Sequence, residues 1–153
     1  MERPVGIHLS YWQTDWSDAL IPIVERAKAV GFDGAEFPLL DPGSMNFKDL
    51  RACLDGVGMK ATCGTGLNPS TDVSSPDKSI RAEGLKHLRM CLEGCATLGS
   101  PVLGGVTYTA WGSFPQDDRM GSWKRSVESV QEAGRIAGDL GVVLCLEILN
   151  RFE

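Results

Sequence analysis

The sequence lacks the features that would assign it to a membrane, to secretion or to nucleic acid. No segment approaches the roughly 20 consecutive apolar residues of a membrane-spanning helix. The first residues, Met-Glu-Arg-Pro, do not form a signal-peptide pattern. The formal net charge of −5 argues against a nucleic-acid-binding surface, which would carry a basic stripe. We therefore expect neither nucleic acid nor membrane as a partner.

Several common catalytic and metal-binding motifs are missing as well. The sequence has no serine or cysteine nucleophile motif, no Walker-type loop and no His-x-x-x-His pair. Its five cysteines are an odd number without a zinc or disulfide spacing. Cys91 and Cys95 could touch or hold a metal on a predicted helix, but two small apolar side chains in a core are the commoner arrangement. Reduced cysteines are typical of a cytoplasmic protein, and we expect that location.

The sequence does contain a repeated order of helix, glycine and strand. Its 153 residues, 42% of them apolar and 23% charged, match an ordinary globular domain with one core. Each predicted helix ends at a glycine, which takes the left-handed conformation without steric penalty. These glycines are Gly31, Gly58, Gly99 and Gly141. A short apolar strand follows each of them, so the pattern predicts βα units in series.

The predicted elements are five strands and four helices. The strands cover residues 5–9, 34–37, 60–63, 102–105 and 142–146. The helices begin near Ser17, at Asn46, after an N-cap at Ser75 with Pro76 in the first turn, and near Ser122. Strands that alternate with helices in this way predict an α/β fold with a parallel sheet.

Two α/β architectures fit this pattern. One is an open, doubly wound sheet. The other is a partial (β/α)₈ TIM barrel that stops after its fifth strand, because a full barrel needs roughly 250 residues. The segment after the first strand has two tryptophans and no glycine, which makes it a poor phosphate cradle. In both folds the long loops at 64–75 and 106–121 would lie at the C-terminal edge of the sheet, where ligands bind.

Glu147 is the first candidate for chemistry, because it stands at the C-terminal end of the last predicted strand. By alternation it shares a face with Val143 and Cys145. A carboxylate there is costly unless it meets a metal or another partner. It could equally be a rim charge paired with Arg151. Position alone leaves both interpretations open.

Other candidates are weaker. His8, near the end of the first strand, is more commonly a hydrogen-bonded structural residue than a ligand or an acid–base group. Trp111 could plug the mouth of a barrel or stack on a ring-shaped substrate. Glycines 64 and 66 could shape a turn or let a ligand approach the backbone. We interpret the Asp117-Asp118 pair as a solvated surface, and we assign no role to His87.

Taken together, these residues resemble a known family, the D-tagatose 3-epimerase and D-psicose (allulose) 3-epimerase group of the xylose isomerase-like TIM barrels. The most specific match is Cys-Leu-Glu-Ile-Leu-Asn-Arg-Phe-Glu at 145–153. Residues 6–12, residues 31–36 and Gly104-Gly105 with Trp111 also match, in order along nearly the whole chain. The resemblance implies the N-terminal half of such a barrel, a single incomplete domain over residues 1–153.

The resemblance also implies an activity, the C3 epimerisation of a free ketose through a cis-enediolate. Glu147 would bind a divalent metal, Mn²⁺ with Mg²⁺ or Co²⁺ as alternatives, and would act as one of two acid–base groups. Glu153 would contact substrate hydroxyls. Trp111, Gly66, Trp16 and His8 would line the substrate, although several members of the family carry tyrosine at the position of His8.

The remaining metal ligands and the second catalytic glutamate of the family lie on later strands. We therefore expect the isolated chain to be inactive, with a homo-oligomer as one way of covering its open edges. A non-catalytic half-barrel, which associates with itself or with a second half, is an alternative. Another sugar or sugar-acid isomerase of the same superfamily is a further alternative, whereas the acidic charge disfavours a hydrolase of abasic DNA.

Overall fold

A parallel sheet with its strands in chain order organises the structure, a computed structural model that describes residues 3–17, 19–114 and 117–150. The strands within these ranges are β1 (Gly6–His8), β2 (Gly34–Pro38), β3 (Lys60–Leu67), β4 (Val102–Ala110) and β5 (Val143–Leu144). The α-helices are α1 (Leu20–Val30), α2 (Phe47–Val57), α3 (Lys78–Leu98) and α4 (Arg119–Asp139). Short 3₁₀ turns cover Leu9–Tyr11 and Pro42–Ser44.

The order of the strands distinguishes the two predicted architectures. Each strand pairs in parallel with its neighbour in the chain, from β1 through to β5. A doubly wound sheet reverses its strand order at a switch point, whereas a (β/α)₈ barrel winds in one direction only. The barrel-type prediction of five parallel strands and four helices is therefore confirmed, and the doubly wound alternative is wrong.

The ends of the helices agree with the sequence better than their beginnings do. Gly31, Gly58 and Gly99 cap α1, α2 and α3 in the left-handed conformation, as predicted. The predicted starts are wrong in three places. Helix α1 begins at Leu20 instead of near Ser17, because Ser17 is held by Asp15 in a local turn.

The starts of α3 and α4 are set by aspartates rather than by serines. Asp77, not Ser75, caps α3 by accepting a hydrogen bond from the backbone of Ser79. Asp118 caps α4 by accepting one from Gly121, and it forms an ion pair with Arg125 at 2.9 Å. Asp118 is exposed, as the interpretation of a solvated surface predicts, and it has these two structural contacts in addition.

The hydrophobic core lies between the sheet and the helices. The largest buried side chains include Phe37 of β2, Leu39 just after that strand, and leucines of α2, β3, α3 and β4. Cys91 and Cys95 are fully buried in this core, as the commoner interpretation predicts, and all five cysteines are free thiols. Among the residues that the structure describes, no helix combines the length and the apolar character needed to cross a membrane.

Strands β3 and β4 are longer than predicted, and their pairing changes register. Gly66 pairs with Val106, but the next residue, Leu67, pairs with Ala110. Residues 107–109 are therefore extra on β4, as in a β-bulge. Trp111 then donates its backbone N–H to the Leu67 carbonyl at 2.9 Å. The first residues of the two predicted loops, 64–67 and 106–110, therefore belong to paired strands.

A buried aspartate ties the segment after β3 to the end of β4. One Asp72 oxygen, Oδ1, accepts hydrogen bonds from the backbone and hydroxyl of Ser74 and from the backbone of Ala110. Arg125 and Ser129 of α4 donate to the carbonyls of Ser74 and Val73. This network fixes the end of the sheet where β3 and β4 finish.

Asp72→Ala is expected to lower the free energy of unfolding by about 2 kcal/mol. Hydrogen bonds to a charged group are worth about 1.5–3 kcal/mol, and the substitution leaves the buried Ala110 N–H without its acceptor. Urea unfolding followed by circular dichroism measures the change. The exposed Asp117→Ala is a matched control, expected within about 0.5 kcal/mol of the parent. Equal stability of the two variants would show that the hydrogen bonds of Asp72 do not stabilise this end of the sheet.

Candidate functional site

A concave surface of about 800 Å³ lies over the C-terminal edge of the sheet. Residues from β1 to β4 and from the segments that follow β1, β2, β4 and β5 line it. They are His8, Trp16, Glu36, Pro38, Leu40, Gly64, Thr65, Gly66, Gly104, Gly105, Val106, Trp111, Cys145, Leu146 and Glu147. This is the edge at which parallel α/β folds bind their ligands.

Glu147 reaches this surface through backbone pairing that continues beyond β5. Strand β5 itself ends at Leu144, two residues earlier than predicted. Cys145 nevertheless donates its N–H to the Leu103 carbonyl at 2.8 Å, and Glu147 donates to Gly105 at 3.0 Å. The main chain at Glu147 is therefore held in a strand-like position, with its carboxylate at the concave surface and exposed to solvent.

The floor of the concave surface is made of glycines. Gly64 pairs with Gly104, and Thr65 pairs with Gly105, in the β3–β4 ladder. Gly105 has a φ of +119°, and a Cβ there would lie 1.9 Å from the Thr65 carbonyl oxygen. Only glycine fits such a position. The absence of side chains leaves the floor open for a ligand to approach the backbone.

His8 combines a structural contact with a place on the concave surface. Its Nδ1 accepts a hydrogen bond from the Ser10 backbone N–H at 3.3 Å and lies 2.5 Å from the Ser10 hydroxyl. Because Nδ1 is an acceptor, the proton of the neutral ring lies on Nε2. His8 is also the register partner of Glu36 on the neighbouring strand.

Two tryptophans form the sides of the concave surface. Trp16 is 60% exposed and Trp111 is 55% exposed, unusual for side chains of this size. The hydrogen bond from the Trp111 backbone N–H to the Leu67 carbonyl fixes the position of the Trp111 main chain. Exposed aromatic faces beside polar groups are suited to the apolar face of a sugar.

His87, to which the sequence assigned no role, lies directly behind the floor. Thr65 gives its hydroxyl hydrogen to the Leu39 carbonyl at 2.7 Å, so His87 Nε2, 3.0 Å away, must donate to Thr65. Burial lowers the pKa of His87, against the opposing effect of Asp41. Burial also raises the pKa of Cys91, beside His87, to about 12. These groups are neutral supports of β3 at neutral pH.

The structure brings most of the predicted site residues together. Glu147, Trp111, His8, Gly66 and Trp16 all line the concave surface. Glu153 lies outside the described residues, and so does Arg151, the alternative partner of Glu147. Glu36, the last residue of the matching stretch 31–36 and one to which the sequence assigned no role, is also part of the surface. Its place on the mid-point of a short strand gave no signal that its side chain faces a ligand site.

The described part of the chain holds few groups that could bind a metal ion together. Among the described residues, no three histidine, cysteine, aspartate or glutamate side chains converge closely enough to hold a metal ion. Glu147 is a suitable oxygen donor for Mn²⁺ or Mg²⁺, but one carboxylate is far short of the usual ligand set. The ligands present in residues 3–17, 19–114 and 117–150 therefore do not make a metal site by themselves.

Comparison with known proteins gives consistent matches. Residues 24–153 match the model of the xylose isomerase-like TIM barrel family. The D-psicose 3-epimerase of Ruminiclostridium cellulolyticum is 35% identical over 97% of this chain and 52% of its own length. The L-ribulose 3-epimerase of a Methylomonas species is 33% identical, again over 97% of this chain and 52% of that protein.

Solved structures agree with these sequence matches. The D-allulose 3-epimerase of a Methylomonas species, in complex with D-allulose, superposes with a TM-score of 0.90 at 32% identity. The superposition covers 98% of this chain and 52% of that one. The chain thus spans about half the length of the relatives it matches.

Proposed function

The chain belongs to the xylose isomerase-like TIM barrel family, and on that premise we propose that it contributes to a sugar epimerase that inverts C3 of a free ketose. The observation that carries the proposal is the placement of Glu147. Backbone pairing with β4 holds the main chain of Glu147 at the edge of a concave surface flanked by two exposed tryptophans. A carboxylate beside an aromatic wall is suited to removing a proton from a bound sugar.

The chemistry needs a base that is aimed at one face of the substrate. Glu147 would remove the proton from the carbon next to the ketone, leaving a cis-enediolate, and a second acid–base group would return a proton to the opposite face. Inversion requires this second group, because one carboxylate reaches only one face. Trp16 and Trp111 would hold the sugar's apolar face, and Gly66 would let it approach the backbone.

A divalent metal stays a prediction of the family resemblance. Glu147 would be one of its ligands, with Mn²⁺ expected and Mg²⁺ or Co²⁺ as alternatives. Such an ion would polarise the substrate carbonyl when bound. Since the described residues do not complete a metal site, we assign no step to the ion. Contact of Glu153 with substrate hydroxyls is likewise part of the proposal.

A second candidate function is supported by the open edge of the sheet. Val143 is 62% exposed and Ile148 is 93% exposed, with Leu146 and Trp123 also exposed nearby. An apolar strand edge of this kind favours pairing with another polypeptide. In this alternative, the chain is a non-catalytic half-barrel that associates with itself or with a second half. Another sugar or sugar-acid isomerase activity is the remaining alternative on the same fold.

Solvent-proton exchange tests the epimerase proposal. Residues 1–153 joined to the second half of the R. cellulolyticum D-psicose 3-epimerase, supplied with Mn²⁺, are expected to interconvert D-fructose and D-allulose. In D₂O the product should carry deuterium at C3, which NMR detects. The acid–base group that returns a proton to C3 exchanges its own proton with the solvent, so it delivers deuterium. Residues 1–153 alone are expected to show little or no turnover. A folded chimera that converts neither D-fructose nor D-tagatose would contradict the proposal.

A further inference from the structure

A short series of hydrogen bonds lies behind the floor of the concave surface. His87 of α3 donates from Nε2 to the Thr65 hydroxyl at 3.0 Å, and that hydroxyl donates to the Leu39 carbonyl at 2.7 Å. Thr65 is buried, so these bonds are shielded from water. Helix α3, strand β3 and the segment after β2 therefore meet at one hydroxyl group.

The bond from Thr65 to Leu39 extends the pairing of β2 with β3 beyond the end of β2. Leu39 also donates its N–H to the Gly64 carbonyl at 2.7 Å, so both of its backbone groups are bonded to β3. The residues on either side of it, Pro38 and Leu40, line the concave surface. The position of this side of the surface thus depends on the Thr65 hydroxyl.

The main chain of Thr65 connects the same residue to Glu147. Thr65 is the register partner of Gly105, and a Cβ on Gly105 would lie only 1.9 Å from the Thr65 carbonyl oxygen. Gly105 in turn accepts the backbone hydrogen bond of Glu147 at 3.0 Å. Closely packed interiors transmit displacements, because they contain few voids. A shift of Thr65 would therefore reach the main chain of Glu147 through one intervening strand.

The surroundings of His87 keep its ring a neutral donor at neutral pH. The titratable groups that face it are Asp41, in the segment after β2, and Cys91, one turn along α3, with Sγ 3.5 Å from Nε2. Cys63 of β3 acts in turn on Cys91. Burial lowers the pKa of His87, and Asp41 opposes this effect. Burial raises the pKa of Cys91 to about 12, so its thiol is uncharged.

We propose that His87 is a positioning residue of the epimerase site, which holds the end of β2 and the main chain of Glu147 in place through the Thr65 hydroxyl. His87 is not one of the described residues that line the concave surface, so it acts only through these neighbours. The inference rests on the proposed ketose epimerase function and adds a contribution from the helix layer behind the sheet.

Kinetics of the chimeric barrel, well below its unfolding midpoint, test this role. His87→Leu removes the donor and is expected to lower kcat by about three- to tenfold, the equivalent of one hydrogen bond. His87→Gln keeps an N–H donor and should restore the parent kcat. Arg89→Leu, on the exposed side of α3, is the matched control and should behave as the parent. A folded His87→Leu with the parent kcat would assign His87 a structural role and overturn the inference.

Thr65→Val removes the other partner of the same hydrogen bond and gives an independent test. Combining it with His87→Leu should lower kcat no further than Thr65→Val does alone, because the two residues act through one contact. Additive losses would show that His87 acts by another route, contrary to the proposal. If His87→Leu does not fold, Thr65→Val is compared with Thr65→Ser, which keeps the hydroxyl and should keep the parent kcat.

The ionisation of His87 can be followed in residues 1–153 without any assay of activity. Nitrogen NMR should find the neutral ring protonated on Nε2. The ring signals, identified by their absence from His87→Gln, should titrate below about pH 6.5, the ordinary pKa of histidine. Since the unfolded chain takes up this proton first, stability falls as the pH drops below that value. The unfolding midpoint should therefore fall further on acidification in the parent than in His87→Gln.

Backbone amide signals distinguish failure of the positioning role from failure of the epimerase. In residues 1–153, His87→Leu should shift the amide signals of Gly105 and Glu147, and His87→Gln should not. Unchanged signals and an unchanged kcat, in an active chimera, would overturn the positioning role and leave the epimerase intact. An inactive parent chimera with these shifts would overturn the epimerase and leave His87 as the residue that positions the concave surface. A neutral ring protonated on Nδ1 would contradict the hydrogen bond to Thr65 and, with it, the positioning role.

Discussion

Glu147→Gln in the chimeric barrel is expected to reduce ketose epimerisation by roughly 10²- to 10⁴-fold, the usual contribution of a general acid–base group. Glutamine keeps the size of the side chain and its hydrogen-bonding capacity but cannot accept the substrate proton. The backbone bond from Glu147 to Gly105 does not involve the side chain, so the fold should be unaffected. Initial rates with D-fructose and deuterium incorporation at C3 both measure the effect.

A matched control distinguishes loss of the base from loss of charge. Glu128 is an exposed carboxylate on α4, outside the concave surface. Glu128→Gln makes the same chemical change and should leave the rate within twofold of the parent. If Glu147→Gln retains the parent rate while remaining folded, Glu147 is a rim charge and its assignment as the base is wrong.

Gly105→Ala is expected to destabilise the fold by about 3 kcal/mol or more, which combines the cost of overpacking with that of backbone strain. Its Cβ would lie 1.9 Å from the Thr65 carbonyl oxygen, at a φ of +119°. The added methyl group must push β3 and β4 apart or change the backbone conformation of β4. Urea unfolding followed by circular dichroism measures the loss.

The neighbouring Gly104→Ala provides the control. A Cβ at this position would lie 4.0 Å from the Cys63 carbonyl, an ordinary contact, and the backbone there has no positive φ. Its stability should equal that of the parent or exceed it by up to about 1 kcal/mol, because alanine restricts the unfolded chain. Equal destabilisation by both substitutions would show that the strain at Gly105 is not the cause.

The sequence predicted the architecture well because its strongest signals are local. A glycine after each helix and an apolar stripe along it are properties of a few neighbouring residues. Gly31, Gly58 and Gly99 therefore marked the helix ends correctly. Three of the four helix starts failed because several serines and aspartates precede those helices, whereas Asn46 was correctly predicted at the start of α2. Which of Ser75 or Asp77 becomes the cap depends on how the preceding loop packs.

Only part of the candidate site could be predicted, because some of its residues are marked by the local sequence and others only by contacts with distant strands. Glu147 and Trp111 were singled out by their positions after a strand and in a long loop, and the resemblance to a known family then predicted their roles. Glu36 and His87 were not assigned, because their environment comes from other strands. Glu36 depends on the space above Gly64, and His87 depends on a hydroxyl from β3. Neither relation leaves a local pattern in the sequence.

The strand order has a consequence for how the chain acquires its structure. Within the described ranges, each strand pairs only with the strands before and after it in the sequence, so the sheet can grow one βα unit at a time. Loop closure between neighbouring units involves short separations, and folding rates rise as such separations shorten. During synthesis on the ribosome, β1 to β3 can pair before β5 has been made. Glu147 would then join a surface on which His8 of β1 and the glycines of β3 are already in place.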